Sequence, residues 1–340
     1  MKGIALVSGQ IMATEAIQRG SNRSYRGVDI SIPSNLNLWI TAVSCFALVA
    51  LLVAASRAEG WVAVLGIAIA FSFVGNTVFS MLHEAVHRTA HPNRAVNDWI
   101  GRICAAFFPT GFHFQRQCHL GHHRRNRTDH EMFDCYYPED NRFLKRLQLY
   151  FILTGVYWTN APTGALIYLL CPWLFNARFL RNRQSPVITH MGADAMIQSI
   201  LKAPPVLARL EILFTIALQA AIIYFFGISW VAWISCYWVF GVNWGGLQYA
   251  DHAWSERDIR HGAWNLRVNK FVQFVFLNYH HHLAHHQFPQ VPWIHLHRFV
   301  DFSKPRPAFL EIYGRLWKGP TPATQPAPAF SDPELEELLE

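Results

Sequence analysis

The chain has 340 residues and a formal net charge of +7, yet only 15% of it is charged while 52% is apolar. Soluble proteins carry roughly 25% charge, so this balance, together with 13 Trp and 25 Phe, argues against soluble domains and for a membrane protein. The arginines lie between apolar runs instead of forming one basic patch, which favours an anionic membrane face over nucleic acid.

In chain order, residues 1–37 hold no cleavable signal pattern and read as a cytoplasmic N-terminal segment. Four apolar runs approach or reach the roughly 20 residues a helix needs to cross a bilayer. They are Leu38–Ala55, Trp61–Leu82, Leu210–Phe226 and Ile228–Leu247. SRAEG separates the first two and little more than Gly227 the last two, so each pair predicts a tight hairpin. Buried helices of a large soluble core are the bland alternative, and turns this short argue against it. The outer turns hold one arginine, Arg57, whereas the opposite surfaces hold Arg88, Arg94, Arg102, Arg116, Arg124, Arg127, Arg260, Arg298 and others. The positive-inside rule then places both termini and those loops in the cytoplasm.

Two apolar stretches do not fit a crossing. Ile103–Phe112 is too short and ends around Pro109 and Gly111, and Leu149–Phe175 is interrupted by TNAPTG at 159–164. A full crossing there would put the histidine-rich segments on its two sides in opposite compartments. Shared metal sites therefore require a re-entrant or interfacial hairpin. Residues 38–300 form one membrane domain and residues 301–340 a cytoplasmic C-terminal tail. Its stretch Thr321–Glu340, rich in Pro and then acidic, is expected to be a mobile end. The predicted fold class is all-α integral membrane: four transmembrane helices in two hairpins, re-entrant or interfacial segments, and a cytoplasmic histidine-rich cap. Cys45, Cys104, Cys118, Cys135, Cys171 and Cys236 form no C-x-x-C, which fits reduced thiols and argues against a zinc ribbon or disulfide scaffold.

The histidines carry the chemistry. HEAVH (His83, His87) closes the second apolar run, HLGHH (His119, His122, His123) follows the short apolar stretch, His252 follows the fourth run, and HLAHH (His282, His285, His286) completes the set. On a helix, positions i and i+4 share a face, so His83 and His87 converge. Adjacent histidines stand about 100° apart and splay, so each H-x-x-H-H box can serve two neighbouring ions. Nine imidazoles exceed what one ion takes and suit two ions at four or five each. Alone, H-E-x-x-H also fits a zinc peptidase with Glu84 as general base. That reading, an intramembrane zinc peptidase, leaves both H-x-x-H-H boxes and His252 unused. A non-catalytic metal-binding protein is the other alternative. Imidazole suits zinc, copper, iron and nickel; an all-nitrogen pair of sites with no other redox motif points to iron, with zinc still open.

These three boxes, with NYH at 278–280 and FPQVPW at 288–293, resemble the membrane-bound fatty acid desaturase and hydroxylase superfamily over roughly Leu38–Phe299. The resemblance implies a non-haem di-iron centre with O2 as co-substrate. His83, His87, His119, His122, His123, His252, His282, His285 and His286 would be its ligands, and Gln248, four residues before His252, would contact it through water. It implies oxidation of C–H bonds in a fatty acid or fatty acyl chain, by desaturation or hydroxylation. HEAVH, LNYHHHLAHHQFP and residues 251–269 also resemble bacterial decarboxylases that form 1-alkenes. With no haem domain, flavin fingerprint or iron–sulfur cysteine set, electrons are expected from a separate ferredoxin or similar donor with its reductase. The expected location is the bacterial inner membrane, with the site facing the cytoplasm.

Around this set, Glu84, Asp129, Asp134 and Asp251 are candidates to hold imidazole N–H groups. His280 and His281 read as support for the third box. His91, His113, His130, His190, His261, His295 and His297 match no box, and most of them read as loop or surface residues. Arg116, Arg124, Arg257 and Arg267 are candidates to grip a carboxylate or carrier headgroup, against the usual reading of solvated surface arginines.

Overall fold

The computed structural model describes residues 23–25, 27–176, 194–328 and 339. It is mostly helical. A short antiparallel pair, β1 (Ser24–Tyr25) and β2 (Val28–Asp29), leads into α1 (Ser34–Arg57) and α2 (Trp61–Val86). Then come α3 (Arg94–Phe107) and α4 (Phe112–Arg125), β3 (Cys135–Tyr136), α5 (Arg142–Leu153) and α6 (Asn160–Leu170). The later helices are α7 (Asp194–Ile200), α8 (Pro205–Phe226), α9 (Trp230–Ala250), α10 (Lys270–Val275), α11 (His282–Gln287) and α12 (Phe309–Leu316), before β4 (Thr321–Pro322).

Three described helices, α1, α2 and α8, are long and apolar enough to cross a membrane. The fourth predicted run forms α9, 21 residues long, which is not among those three. Large side chains on these helices point outward, among them Phe46, Trp61, Phe225 and Val231. A soluble protein rarely exposes such contiguous apolar surface; facing lipid, it is stable.

The inner faces pack around α2. Gly75 lets the Phe240 ring of α9 come so near that a Cβ there would meet it at 2.7 Å. Phe79 stands edge-on to Trp244 with ring centres 5.5 Å apart, and Phe108 lies 5.2 Å from the same indole, tying α2, α9 and the end of α3 together. Several polar side chains inside the bundle find partners, as burial favours. Glu211 of α8 accepts from Arg102 Nε and from the His113 backbone N–H, each at 2.8 Å, and its Oε1 also lies 2.8 Å from His113 Nδ1. His113 is therefore an interior brace of α3, α4 and α8, not the surface residue the sequence led us to expect.

Two further expectations need correction. The stretch Leu149–Phe175 does break, but at Thr154–Gly155 and not at TNAPTG. Gly155 sits at φ +82°, and a Cβ there would meet Val242 N at 2.8 Å, so only glycine turns the chain against α9. TNAPTG instead starts α6, where Pro162 in the first turn lacks only an N–H that has no helical partner. The second correction concerns Thr321. It does not begin a mobile end: β4 pairs in parallel with β3, Trp254 Nε1 donates to Thr321 Oγ1 at 2.9 Å, and Arg257 N donates to Gln325 Oε1 at 2.9 Å. Apart from Leu339, the acidic run beyond 328 lies outside the described residues, as does His190.

Candidate metal centre

The three boxes meet beyond the end of α2. The lower part of that helix is buried from Val78 onward, and its last turn carries His83, with His87 capping it. Their rings lie 4.9 Å apart, as the i, i+4 spacing requires. Helix α4 brings His119, His122 and His123 against them, and α11 brings His282, His285 and His286. Although only six residues long, α11 is held in place by the chain before it: Leu283 N donates to Trp264 O at 3.2 Å and Ala284 N to Asn265 Oδ1 at 3.1 Å.

The nine predicted histidines fall into two groups. His83, His87, His119, His123 and His285 form one; His122, His252, His282 and His286 form the other. Within each group the ligand-type nitrogens lie within 4.8 Å of one another. The predicted splay of adjacent histidines is observed. In α4, His119 and His123 enter the first group and His122 the second. In α11 the assignment inverts, with His282 and His286 in the second group and His285 in the first.

Nitrogen faces nitrogen at contact distance. His119 Nε2 lies 2.9 Å from His87 Nε2 and 3.1 Å from His123 Nε2, His285 Nε2 lies 3.0 Å from His123 Nε2, and His282 Nε2 lies 3.0 Å from His252 Nε2. His83 Nε2 and His286 Nε2 are buried with no hydrogen-bond partner. Burial, reinforced by neighbouring histidines, holds His119, His123, His282, His285 and His286 well below the usual imidazole range, and His252 at about 3. Neutral imidazoles with inward lone pairs are the ligand form of histidine. The donor set thus fits two metal positions with all-nitrogen coordination, and each group can hold an ion.

The outer nitrogens are served unevenly. His122 Nδ1 lies 2.6 Å from Glu131 Oε2, and Glu131 also accepts from Arg125. Burial would raise the Glu131 carboxyl, but His122 and Arg125 pull it down to about 2. His252 Nδ1 lies 2.9 Å from Gly262 O. Glu131 was not among the acids singled out from sequence. Its only signal is the DHE run that begins six residues after the second box, where Asp129 is the more obvious acid.

The four acids that were singled out divide. Asp129 accepts from Arg257 and Tyr137, and Asp134 from Arg127 and the Tyr249 hydroxyl; neither touches a histidine. Glu84 accepts from Thr89 Oγ1 at 2.7 Å and from Trp293 N at 3.2 Å, which fixes the FPQVPW segment. Asp251 remains, fully buried, with its Oδ2 4.0 Å from His282 Nδ1. Burial pushes its carboxyl well above the ordinary range.

Of the four candidate headgroup arginines, Arg257 is committed internally to Asp129, Tyr137, the Arg127 carbonyl and Gln325, so it is not available to a ligand. Arg116 donates to Val86 O. His280 and His281 lie with ring centres 3.9 Å apart, tilted at 43°, and join neither group.

A cavity of about 220 Å³ opens onto the two groups. Phe79, Phe108, Phe133, Trp158 and Trp244 wall it on the bundle side, and His119, His122, His252 and Gln248 bound it on the other. Gln248 accepts from the Tyr279 hydroxyl at 2.8 Å, which fixes its amide.

A comparison with protein families matches residues 59–315, well over half of the chain, to the family model described as fatty acid desaturase. No curated protein matches the chain. The matched region contains all three histidine boxes, His252 and two of the three apolar crossing helices in full. The chain belongs to the fatty acid desaturase family, whose members are membrane oxidoreductases acting on fatty acyl chains.

Proposed function

We propose that this protein is an O2-dependent di-iron oxidoreductase that desaturates or hydroxylates a fatty acyl chain. The observation that carries this reading is the continuity of one cavity from an aromatic wall to imidazoles of both groups. When bound, the two irons supply oxygen activation with electrons from an external ferredoxin-like donor and its reductase. The protein's own side chains do the rest. Phe79, Phe108, Trp158 and Trp244 hold the hydrocarbon in a dry slot, so that position along the slot and not intrinsic reactivity selects the carbon. All nine histidines serve as ligands, His119, His123 and His285 through nitrogens already in contact. Tyr279 holds Gln248 at the cavity edge, where its amide can order a water beside the second group.

In the membrane, α9 completes a second hairpin with α8 as the fourth crossing, since it is long enough and its outer side chains Trp230, Val231 and Ile234 are exposed. The arginine excess near the histidines supports a cytoplasmic position for that face, in our reading at a bacterial inner membrane.

Two measurements test this function. Metal analysis after anaerobic purification should give about two irons per chain; one zinc per chain would overturn the di-iron reading. Membranes containing the protein, given defined fatty acids and a reducing system, should form an unsaturated or hydroxylated acid. A gaseous terminal alkene would instead assign oxidative decarboxylation, and no oxygen-dependent product from any acyl donor would refute the proposal.

A further inference from the structure

We infer that Asp251 positions His282: its carboxylate is the acceptor for the His282 Nδ1–H and turns Nε2 toward the four-histidine group. This rests on the two-metal reading above.

Asp251 caps the C-terminus of α9 and is 0% exposed. Its backbone is anchored, because its carbonyl accepts from Trp264 N at 2.7 Å. Its side chain is not: neither carboxylate oxygen has a hydrogen-bond partner, and among the described buried carboxylates only Asp251 has both oxygens in that state. A buried carboxylate without a partner is costly, so the fold retains one only where something compensates it.

Compensation lies on the adjacent helix. His282 is 2% exposed, and its Nδ1 is likewise buried without a partner. The nearest Asp251 oxygen is 4.0 Å from that nitrogen. A neutral imidazole that offers Nε2 as a lone pair must carry its proton on Nδ1. His282 Nε2 faces His252 Nε2 at 3.0 Å, so the remaining proton points to the Asp251 side. The separation exceeds a hydrogen bond, and the contact tightens when the group carries positive charge, which strengthens the N–H donor and favours the carboxylate. The other acids near the site are engaged elsewhere: Glu131 by His122 and Arg125, Glu84 by Thr89 and Trp293, Asp134 by Arg127 and Tyr249.

The test uses the full-length protein in detergent, loaded with Co2+, and compares wild type with Asp251→Leu and Asp251→Asn. The readouts are cobalt per chain under chelator competition and the cobalt ligand-field spectrum. Wild type should hold two equivalents. Asp251→Leu, close in shape but unable to accept, should bind one equivalent roughly 10–100-fold more weakly while the other is unchanged. Asp251→Asn, whose amide oxygen still accepts, should recover part of the loss. The unaffected equivalent reports that the variant is folded. Asp251→Leu with two equivalents of wild-type affinity and spectrum would overturn the assignment, as would a folded variant that loses both equally. Wild type that binds no metal at all would instead remove the two-metal reading on which the inference stands.

Discussion

The first histidine group and the second draw on the same boxes yet are held by different parts of the molecule. The first is borne on helices: every member lies on α2 or its cap, α4 or α11. The second has four members, one of which, His252, lies beyond the end of α9, and its outer contacts are loops and carboxylates. Glu131 backs His122, the Gly262 carbonyl accepts from His252, and Asp251 stands beside His282. Across the first group the charged neighbour is a cation, Arg116, beside His87. The difference teaches that imidazole count alone does not describe a site. The group with fewer nitrogens has carboxyl groups set against it, and its integrity depends on segments far from the boxes.

The largest expected effect comes from the grouped histidines themselves, the ligands of the proposed centre. His285→Ala and His252→Ala should each lower turnover by more than about 100-fold, beyond the loss typical for an outer contact. Metal analysis of the purified variants should show the loss of one equivalent in each. If His252→Ala releases both equivalents while the protein stays folded, the two groups are a single unit and the comparison fails.

Next comes Glu131→Gln. It keeps the shape but removes the charge that both His122 and Arg125 use. We expect a loss of roughly 10–100-fold in affinity for the second equivalent, read by chelator competition, with the first unaffected. Equal weakening of both would show that Glu131 acts on the fold of α4 and not on one metal position.

This contrast also marks how far the sequence could be read. The boxes announce themselves because metal chemistry needs many imidazoles at helical spacing, and the splay of His122 from His123 follows from 100° per residue alone. The first group was therefore fully legible. The second was legible in its histidines but not in the groups around them. Glu131 serves His122 through a short 3-10 turn, and no periodicity predicts which acid such a turn presents. Asp129 and Asp134 had the same composition signal and went to Arg257 and Arg127. The break at Gly155 escaped because its cause, the close approach of Val242, is a tertiary contact. Proline and threonine in TNAPTG gave a stronger local signal for the wrong place.

A smaller effect should follow from the C-terminal strap. Thr321 N donates to Asp134 O at 2.8 Å, Ala323 N donates to Tyr136 O at 2.9 Å, and Gln325 takes the Arg257 amide. These contacts clamp the 129–137 and 252–258 loops that serve the second group. With the bonds from Trp254 Nε1 to Thr321 and from Arg257 Nη1 to the Gln325 carbonyl, deleting residues 321–340 should cost about 5 kcal/mol at roughly 1 kcal/mol per hydrogen bond. Thermal unfolding should detect it, with protease cleavage appearing first near 254–262. Cleavage appearing first in α4 or α11 would mean that the strap supports both groups alike.

The smallest effect is a pH dependence confined to the same loops. Asp134 is fully buried, and burial alone would raise its carboxyl; Arg127 Nη1 at 2.8 Å and the Tyr249 hydroxyl at 2.6 Å bring it down to about 2 from its ordinary 3.8. A carboxyl depressed in the folded state contributes stability that is fully present above its unfolded value and lost as pH falls toward the folded one. The window is therefore pH 4 down to 2, and the size is about 2 kcal/mol, from 1.36 kcal/mol per unit. Asp134→Asn should be less stable than wild type at neutral pH, and the gap should narrow through that window as the wild-type carboxylate takes up its proton. Unfolding curves for the two proteins in detergent between pH 7 and 2 would show it. A gap of constant width would mean that Asp134 contributes through shape and neutral hydrogen bonds, and that the loops behind the second group are held by packing and not by charge.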